Sequence, residues 1–280
     1  MGQQVRCGQG ETQQLGIIGF PLGHTLSPLV HNWGFSKFGL DAVYTAWPTP
    51  PEDLESMVER IRSEPIAGLS VTIPHKTAII PFLDSITGLA HAVGAVNTVF
   101  WRDGKLWGDN TDVAGFAKPL AVRDVRSGSA LVLGAGGAAL AVIVGLQELG
   151  IGPLYLANRT DEKAEELAAH FDINFIPWAE RGRCRTRILV NTTPIGMAGK
   201  FEGLSPWNKY DFEKGQLAYD IVYNPGETRF LREAQSLGVN VIMGVEMFLY
   251  QALEQFRIWT GRDLPVDETR RLLEQALYGT

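Results

Sequence analysis

Apolar residues along the chain alternate between two rhythms, short runs bounded by Gly, Pro or Asn and longer stretches with helical spacing. Leu15 to Ile18 stops at Gly19 and Pro21 and reads as a strand feeding a loop. Ser27-Pro28 then opens a helix, with Ser27 as N-cap and Pro28 at the first helical position. A strand around Ala42 to Ala46, a helix from Pro51 to Arg62, a strand near Leu69 to Ile73 and a helix over Thr77 to Leu83 continue the pattern. Strands alternating with helices predict parallel pairing. Asn97 to Phe100, then Arg102-Asp103-Gly104-Lys105 and Leu106, predict a strand and a Gly-bearing turn. Thr111 to about Val122 is helical, and the charged, turn-prone stretch Arg123 to Gly128 predicts a domain junction. Beyond it come strand Ala130 to Leu133, helix Ala138 to Leu149, strand Leu154 to Ala157 and helix Asp161 to His170. Later strands are expected at Ile173 to Ile176, Ile188 to Val190, Leu217 to Ile221 and Val239 to Met243, which together predict a doubly wound sheet with crossover helices. Gly244 precedes a long amphipathic helix, Val245 to Thr260, and Val266 to Leu277 supplies a last one. No internal repeat or low-complexity linker interrupts this order.

Length sharpens the picture: at roughly 150 residues per domain, 280 residues predict two domains. The expected division is a flexible leader over 1–14, an α/β domain over 15–122, and a dinucleotide-type domain over 123–244. The helices of about 245–277 are expected to pack back on the first domain. With 45% hydrophobic and 20% charged residues the composition is that of an ordinary globular chain. A net charge of -6 repels phosphate backbones and makes nucleic acid an unexpected partner. The longest apolar run, Ala138 to Leu146, is far short of the roughly 20 residues of a membrane span, and Met1 to Gln14 is polar. No membrane partner is therefore expected. Cys7 and Cys184 are too few for a disulfide scaffold, and a reducing, cytoplasmic setting fits them. The five histidines (His24, His31, His75, His91, His170) show no metal-site spacing, so no metal is assigned.

Candidate chemistry begins at Gly134-Ala135-Gly136-Gly137-Ala138-Ala139, a G-x-G-x-x-A turn between strand and helix. Gly134 allows the tight turn, Gly136 lets a pyrophosphate approach the backbone, and Ala139 permits close helix-to-strand packing. The amides at the helix start favour the anion. The next strand ends in Asn158-Arg159-Thr160, with Lys163 beyond, where an NAD-binding chain usually carries an acid for the ribose 2′-hydroxyl. A guanidinium, an amide, a hydroxyl and an ammonium suit the 2′-phosphate of NADP instead. In the first half, polar clusters stand at strand ends and helix starts: His24-Thr25-Leu26-Ser27-Pro28, Ser70 to Lys76, Ala95 to Thr98, and Gly108 to Asp112. In open α/β sheets such positions line the ligand crevice, and they suit a polyhydroxylated, anionic small molecule.

Nearly all of Leu15 to Leu277 resembles the shikimate dehydrogenase family. The marks are G-x-P-x-x-H-[ST]-x-S-P at Gly19 to Pro28, V-T-I-P-H-K at Val71 to Lys76, G-A-V-N-T at Gly94 to Thr98, and G-D-N-T-D at Gly108 to Asp112. The second half adds G-A-G-G-A, N-R-T, N-T-T-P-I-G-M at Asn191 to Met197, Tyr223-Asn224-Pro225, and Gly244 with Gln251. The resemblance implies an N-terminal α/β substrate domain and a Rossmann-type NADP-binding domain separated by a cleft that closes on both ligands. It implies reversible NADPH-dependent reduction of 3-dehydroshikimate, a step of aromatic amino-acid and chorismate biosynthesis, by a monomer or homodimer. It further implies that Lys76 and Asp112 form the catalytic pair, that Thr25 and Ser27 hold the substrate carboxylate, and that Thr72, Asn97, Tyr223 and Gln251 complete the pocket. Ile221 and Gly244 join Gly134, Ala135, Gly136, Gly137, Ala138, Asn158, Arg159, Thr160 and Lys163 as the implied cofactor contacts. Hydride transfer at a secondary alcohol needs a group that takes and returns the hydroxyl proton, and a lysine held by a carboxylate meets that need. Three positions depart from the family's usual residues: Thr25 for serine, Ser70 for asparagine and Leu140 for arginine. The alternatives are a quinate or dual-specificity dehydrogenase and a non-catalytic sensor of cofactor or metabolite.

Overall fold

The computed structural model describes residues 12–23 and 25–279. Cys7, most of the leader, and His24 lie outside the described residues. Contacts partition the chain into two units, one of Met1–Thr111 with Gln251–Leu273 and one of Asp112–Tyr250 with Glu274–Thr280. Helix Asp112–Val122 thus belongs with the second unit, and the long helix Gly244–Thr260 contributes residues to each.

The first unit is built on a six-stranded sheet: β1 Gln13–Gly19, β2 Ala42–Pro48, β3 Ile66–Val71, β4 Ser85–Ile86, β5 Thr98–Arg102 and β6 Lys105–Asp109, in the order β2-β1-β3-β5-β6-β4. Strand β1 starts at Gln13, inside the stretch expected to be leader. The sheet is mixed rather than all parallel, because β5 runs antiparallel to both β3 and β6. The cause is local: Asp103 and Gly104 both have positive φ (51° and 71°), and such a turn folds β5 back directly on β6 without a crossover helix.

One face of the sheet packs Ile18, Leu69, Val71, Val99 and Leu106 against Met57, Val58 and Ile61 of helix Leu54–Ser63. Elsewhere in this unit Tyr44 and Trp259 are ring neighbours 5.9 Å apart. Trp259 donates its indole N–H to the Val99 carbonyl at 3.0 Å. It can lie there because Gly68 has no side chain; a Cβ at that position would fall on the indole ring.

Three local expectations are corrected. Leu26, not Ser27, is the N-cap of helix Ser27–Phe38, and Ser27 is already helical, its N–H donating to the Thr25 hydroxyl at 3.3 Å. The helix expected over Thr77 to Leu83 is divided into His75–Ala78 and the 3-10 turn Ile80–Phe82, since Pro81 has no N–H with which to continue an α-helix. Helices Gly88–Val93 and Arg229–Ser236, absent from the sequence reading, start at Thr87 and Thr228, whose hydroxyls accept the N–H groups of Ala90 and Leu231.

The second unit carries β7 Ala130–Leu133, β8 Leu154–Ala157, β9 Asn174–Phe175, β10 Ile188–Asn191, β11 Leu217–Asp220 and β12 Asn240–Ile242. All pairs are parallel, in the order β12-β11-β10-β7-β8-β9. Counted from β7, this is the 3-2-1-4-5-6 order of the doubly wound dinucleotide fold, with its topological switch between β7 and β10. Strands β7 and β10 are buried throughout, as a parallel sheet covered on both faces requires. One face packs Val132, Val190 and Tyr219 against Val142, Ile143 and Phe116. The other packs Leu131, Leu189 and Ala218 against Phe230, Leu231 and Trp207. Among the described residues no helix is long and apolar enough to cross a membrane, and no group of His, Cys, Asp and Glu is arranged to hold a metal.

Candidate active site

In the first unit, strands β1, β3 and β6 end and β5 begins at one edge of the sheet. Backbone hydrogen bonds gather the connecting loops there. Thr72 N–H donates to the Ile18 carbonyl at 2.9 Å, and Phe20 N–H to the Ile73 carbonyl at 2.9 Å. Val71 N–H donates to the Asn97 carbonyl at 2.8 Å, and Val96 N–H to the Lys76 carbonyl at 2.7 Å. Thr72, Lys76 and Asn97, separate in sequence, therefore share this edge. Thr25 and Ser27 follow β1 and are joined by a bond from the Thr25 to the Ser27 hydroxyl at 3.2 Å. Ser27 is buried, and Thr25, Thr72 and Lys76 keep partial exposure.

The Asn97 side chain is buried and hydrogen-bonded. Its Oδ1 accepts the Thr111 N–H at 2.7 Å and the Thr98 hydroxyl at 2.8 Å, and its Nδ2 donates to the Thr111 hydroxyl at 3.0 Å. Gln251 stands one helical turn before Gln255 on helix Gly244–Thr260, and Gln255 Nε2 donates to the Asn97 carbonyl at 3.2 Å. His75, next to Lys76, is buried with its Nε2 2.7 Å from the Thr49 carbonyl, which makes it a tie between loops.

In the second unit the turn after β7 has the expected form. Gly134 has φ 112°, and a Cβ there would stand 2.7 Å from the Thr192 hydroxyl and 3.0 Å from Thr193 Cγ2. The loops after β7 and β10 thus meet at the switch point. Gly136 is the N-cap of helix Gly137–Glu148 with extended backbone (φ -97°, ψ -178°), and a Cβ added at Gly136 or Gly137 would meet nothing within 4 Å. That open, exposed approach to helix N-terminal amides fits a dinucleotide pyrophosphate.

Asn158, at the end of β8, braces this turn, its Oδ1 accepting the Ala135 N–H at 3.3 Å and its Nδ2 donating to the Thr160 carbonyl at 2.9 Å. Thr160 occupies the N-cap position of helix Asp161–His170 without a side-chain cap bond. Arg159 and Lys163 are exposed, and among the described residues neither has an ion-pair partner. Two cations available at the end of the second strand suit a 2′-phosphate.

Ile221 and Gly244 are brought together: a Cβ at Gly244 would fall on the Val222 carbonyl and lie 2.7 Å from the Ile221 carbonyl carbon, so only glycine lets this helix start against that stretch of backbone. Tyr223 lies with its ring 5.0 Å from Phe248, and burial pushes its hydroxyl pKa up. Asp112 is buried and begins helix Asp112–Val122.

The sequence reading missed Asp220. It is fully buried at the end of β11, where it accepts Asn191 Nδ2 at 2.9 Å, Val222 N–H at 3.0 Å and the Thr228 hydroxyl at 2.6 Å. Asn191 in turn accepts the Thr193 N–H and hydroxyl at 3.0 and 2.6 Å. One carboxyl thus ties the loops after β10 and β11. Burial pushes its pKa up to about 7, against the three hydrogen bonds. The only signal in the sequence is an acid directly after the apolar run Leu217 to Tyr219.

Comparison with known proteins places this geometry. A family profile described as the shikimate dehydrogenase substrate binding domain matches residues 17–99, and one described as the shikimate 5'-dehydrogenase C-terminal domain matches 244–274. The shikimate dehydrogenase (NADP(+)) of Maridesulfovibrio salexigens is 50% identical over 262 residues, covering 94% of this chain and 96% of its own length. That of Oleidesulfovibrio alaskensis is 48% identical over 267 residues, covering 95% and 96%. The crystal structure of shikimate 5-dehydrogenase from Thermus thermophilus in complex with NADP(H) and shikimate superimposes with a TM-score of 0.87 at 36% identity, covering 95% of this chain and all of that one. With two α/β units, a dinucleotide-type sheet and likeness over nearly its whole length, this chain belongs to the shikimate dehydrogenase family.

Proposed function

We propose that this protein is an NADP-dependent shikimate dehydrogenase that reversibly reduces the carbonyl of 3-dehydroshikimate to the secondary alcohol of shikimate, supplying chorismate and aromatic amino-acid biosynthesis. The observation that carries this reading is the gathering of Thr72, Lys76 and Asn97 at one sheet edge, with Thr25 and Ser27 joined to each other at the start of the helix that follows β1, in a chain of this family. When bound, NADPH supplies the hydride for reduction, and NADP⁺ takes it back in oxidation.

The chain's own residues supply the rest. Lys76 Nζ gives a proton to the carbonyl oxygen as the alcohol forms and takes it back from the hydroxyl in the reverse reaction. Asp112 is its acidic partner. The Thr25 and Ser27 hydroxyls hold the substrate carboxylate at the start of helix Ser27–Phe38, where the helix dipole favours an anion. Thr72, Asn97, Tyr223 and Gln251 hold the ring hydroxyls. The amides of the Gly134–Ala138 turn receive the pyrophosphate, Asn158 and Thr160 lie beside the adenosine ribose, and Arg159 and Lys163 receive the 2′-phosphate. Ile221 and Gly244 border the nicotinamide. The substrate domain corresponds to the first unit and the cofactor domain to the second. The setting is cytoplasmic and the protein a monomer or homodimer.

Initial rates with shikimate or quinate, each paired with NADP⁺ or NAD⁺, test the assignment. Turnover confined to shikimate and NADP⁺ is expected. Appreciable quinate turnover would move it to a dual-specificity enzyme, and ligand binding without turnover in all four pairs would make it a sensor. Folded Lys76→Ala protein is expected to be inactive; near-wild-type turnover would remove Lys76 from the mechanism.

A further inference from the structure

Beneath the edge that carries Asn97 runs a line of buried polar side chains drawn from three strands and a helix. The Tyr44 hydroxyl donates to Ser70 Oγ at 2.6 Å, and Ser70 donates to Gln255 Oε1 at 2.8 Å. Gln255 Nε2 donates to Thr98 Oγ1 at 3.1 Å and to the Asn97 carbonyl at 3.2 Å. The Thr98 hydroxyl donates to Asn97 Oδ1 at 2.8 Å. All five side chains are 4% exposed or less. Buried polar groups stay unpaired only at a high energetic cost, so each must point the way its neighbours allow.

Two backbone groups set the direction of the whole line. The Asn97 carbonyl can only accept, so the Gln255 amide must turn its nitrogen that way and its oxygen towards Ser70. The Thr111 N–H can only donate, so the Asn97 amide must turn its oxygen towards it. The Thr98 hydroxyl accepts a hydrogen bond from Gln255 and donates to that same oxygen at 2.8 Å, which is nearer than the Thr111 hydroxyl at 3.2 Å. Flipping the Asn97 amide would set its NH2 group against two donors. Gln255 thus adds, through Thr98, a second constraint beside the Thr111 N–H on which way round Asn97 stands, although it lies on a helix 158 residues away in sequence.

We propose that Gln255 is a positioning residue for substrate recognition: acting through Thr98, it fixes the orientation of the Asn97 amide and thereby which hydrogen-bonding group Asn97 offers to a ring oxygen of shikimate. The proposal rests on the reading of Asn97 as a substrate-binding side chain.

A double-mutant cycle separates the two. Gln255→Met keeps the length and removes both polar ends, Asn97→Ala removes the recognising group, and the pair is combined. KM for shikimate, KM for NADP⁺, kcat and the thermal midpoint are measured for each. Gln255→Met is expected to raise KM for shikimate about tenfold, the effect of one lost hydrogen bond, with KM for NADP⁺ unchanged. In the Asn97→Ala background the same substitution should leave KM for shikimate where it is, because the group it orients is gone. An equal rise in both backgrounds, or a lower midpoint with no change in KM, would show a packing role and overturn the proposal. A KM unaffected by Asn97→Ala would overturn the reading of Asn97 itself, and the proposal with it.

Should Gln255→Met fail to fold, Gln255→Glu carries the test. Its protonated carboxyl keeps one O–H to donate towards Thr98, whereas its ionised form only accepts and so reverses the Thr98 hydroxyl. KM for shikimate relative to wild type is then expected to climb with pH, and a ratio constant with pH would overturn the proposal.

Discussion

Gly136→Ala separates the needs of the fold from those of the ligand. The backbone at Gly136 is extended, at φ -97° and ψ -178°, which any residue adopts, and the added methyl meets no atom within 4 Å. Replacing Gly by Ala at such a compatible position stabilises by about 0.4–1 kcal/mol, because the unfolded chain loses freedom. The protein alone should therefore be unharmed or slightly more stable. The same methyl stands on the exposed approach to the helix amides, where a pyrophosphate has to come close. Overfilling a close contact costs roughly 1–3 kcal/mol, which is a rise in Kd for NADP⁺ of about 5- to 150-fold.

Gly134→Ala is the counterpart. With φ 112° and a Cβ 2.7 Å from the Thr192 hydroxyl, the substitution strains the protein itself, by at least ~1–2 kcal/mol. Calorimetric titration with NADP⁺ and chemical unfolding of both variants read the two quantities separately. Intact stability with weakened binding is expected for Gly136→Ala, and lost stability for Gly134→Ala. If Gly136→Ala binds NADP⁺ within about twofold of wild type, the pyrophosphate does not lie on this turn and the assignment of the cofactor site falls.

Three further outcomes are expected. Arg159→Ala should weaken NADP⁺ about tenfold, by loss of one charge-assisted hydrogen bond, and leave NAD⁺ unchanged; an equal loss for both cofactors would show that Arg159 does not meet the 2′-phosphate. Burial raises the folded pKa of Asp220 to about 7, above its unfolded value, so the native state holds the extra proton and stability falls as pH rises from ~4 through 7. Asp220→Asn should accordingly gain on wild type over that window, by on the order of 3–4 kcal/mol at its upper end, in urea unfolding at several pH values; a difference independent of pH would refute the shift. His31 has the opposite sign: burial pushes its pKa down to about 3, although Gln255 lies near enough to oppose this in part, and neither ring nitrogen closes a hydrogen bond. Stability is then lost as pH falls from ~6.5 towards 3, and His31→Phe, a ring among Tyr44, Phe256 and Trp259, should flatten that acid limb. A limb as steep as wild type would remove His31 as its source.

Taken by itself, the amino-acid sequence determined what depends on neighbouring residues. Apolar periodicity located β7 and β8 and helix Asp161–His170 to the residue, because alternation of short buried runs with helical spacing is written locally. The Gly134 turn was equally legible, since a missing Cβ acts on its own backbone. The family was legible in the ordered motifs. Tertiary structure alone decided that β5 lies beside β3 and runs antiparallel to it. It also decided which polar groups are buried. Asp220 reads in sequence like any acid after a strand, and its pKa near 7 arises from chain segments that close over it. Ser70 and Gln255 are 185 residues apart, and nothing near either predicts that they meet. Burial, desolvation and the direction of hydrogen bonds are set by whatever the fold brings into contact, whereas strand, helix and turn preferences are set by each residue's own geometry and its nearest neighbours.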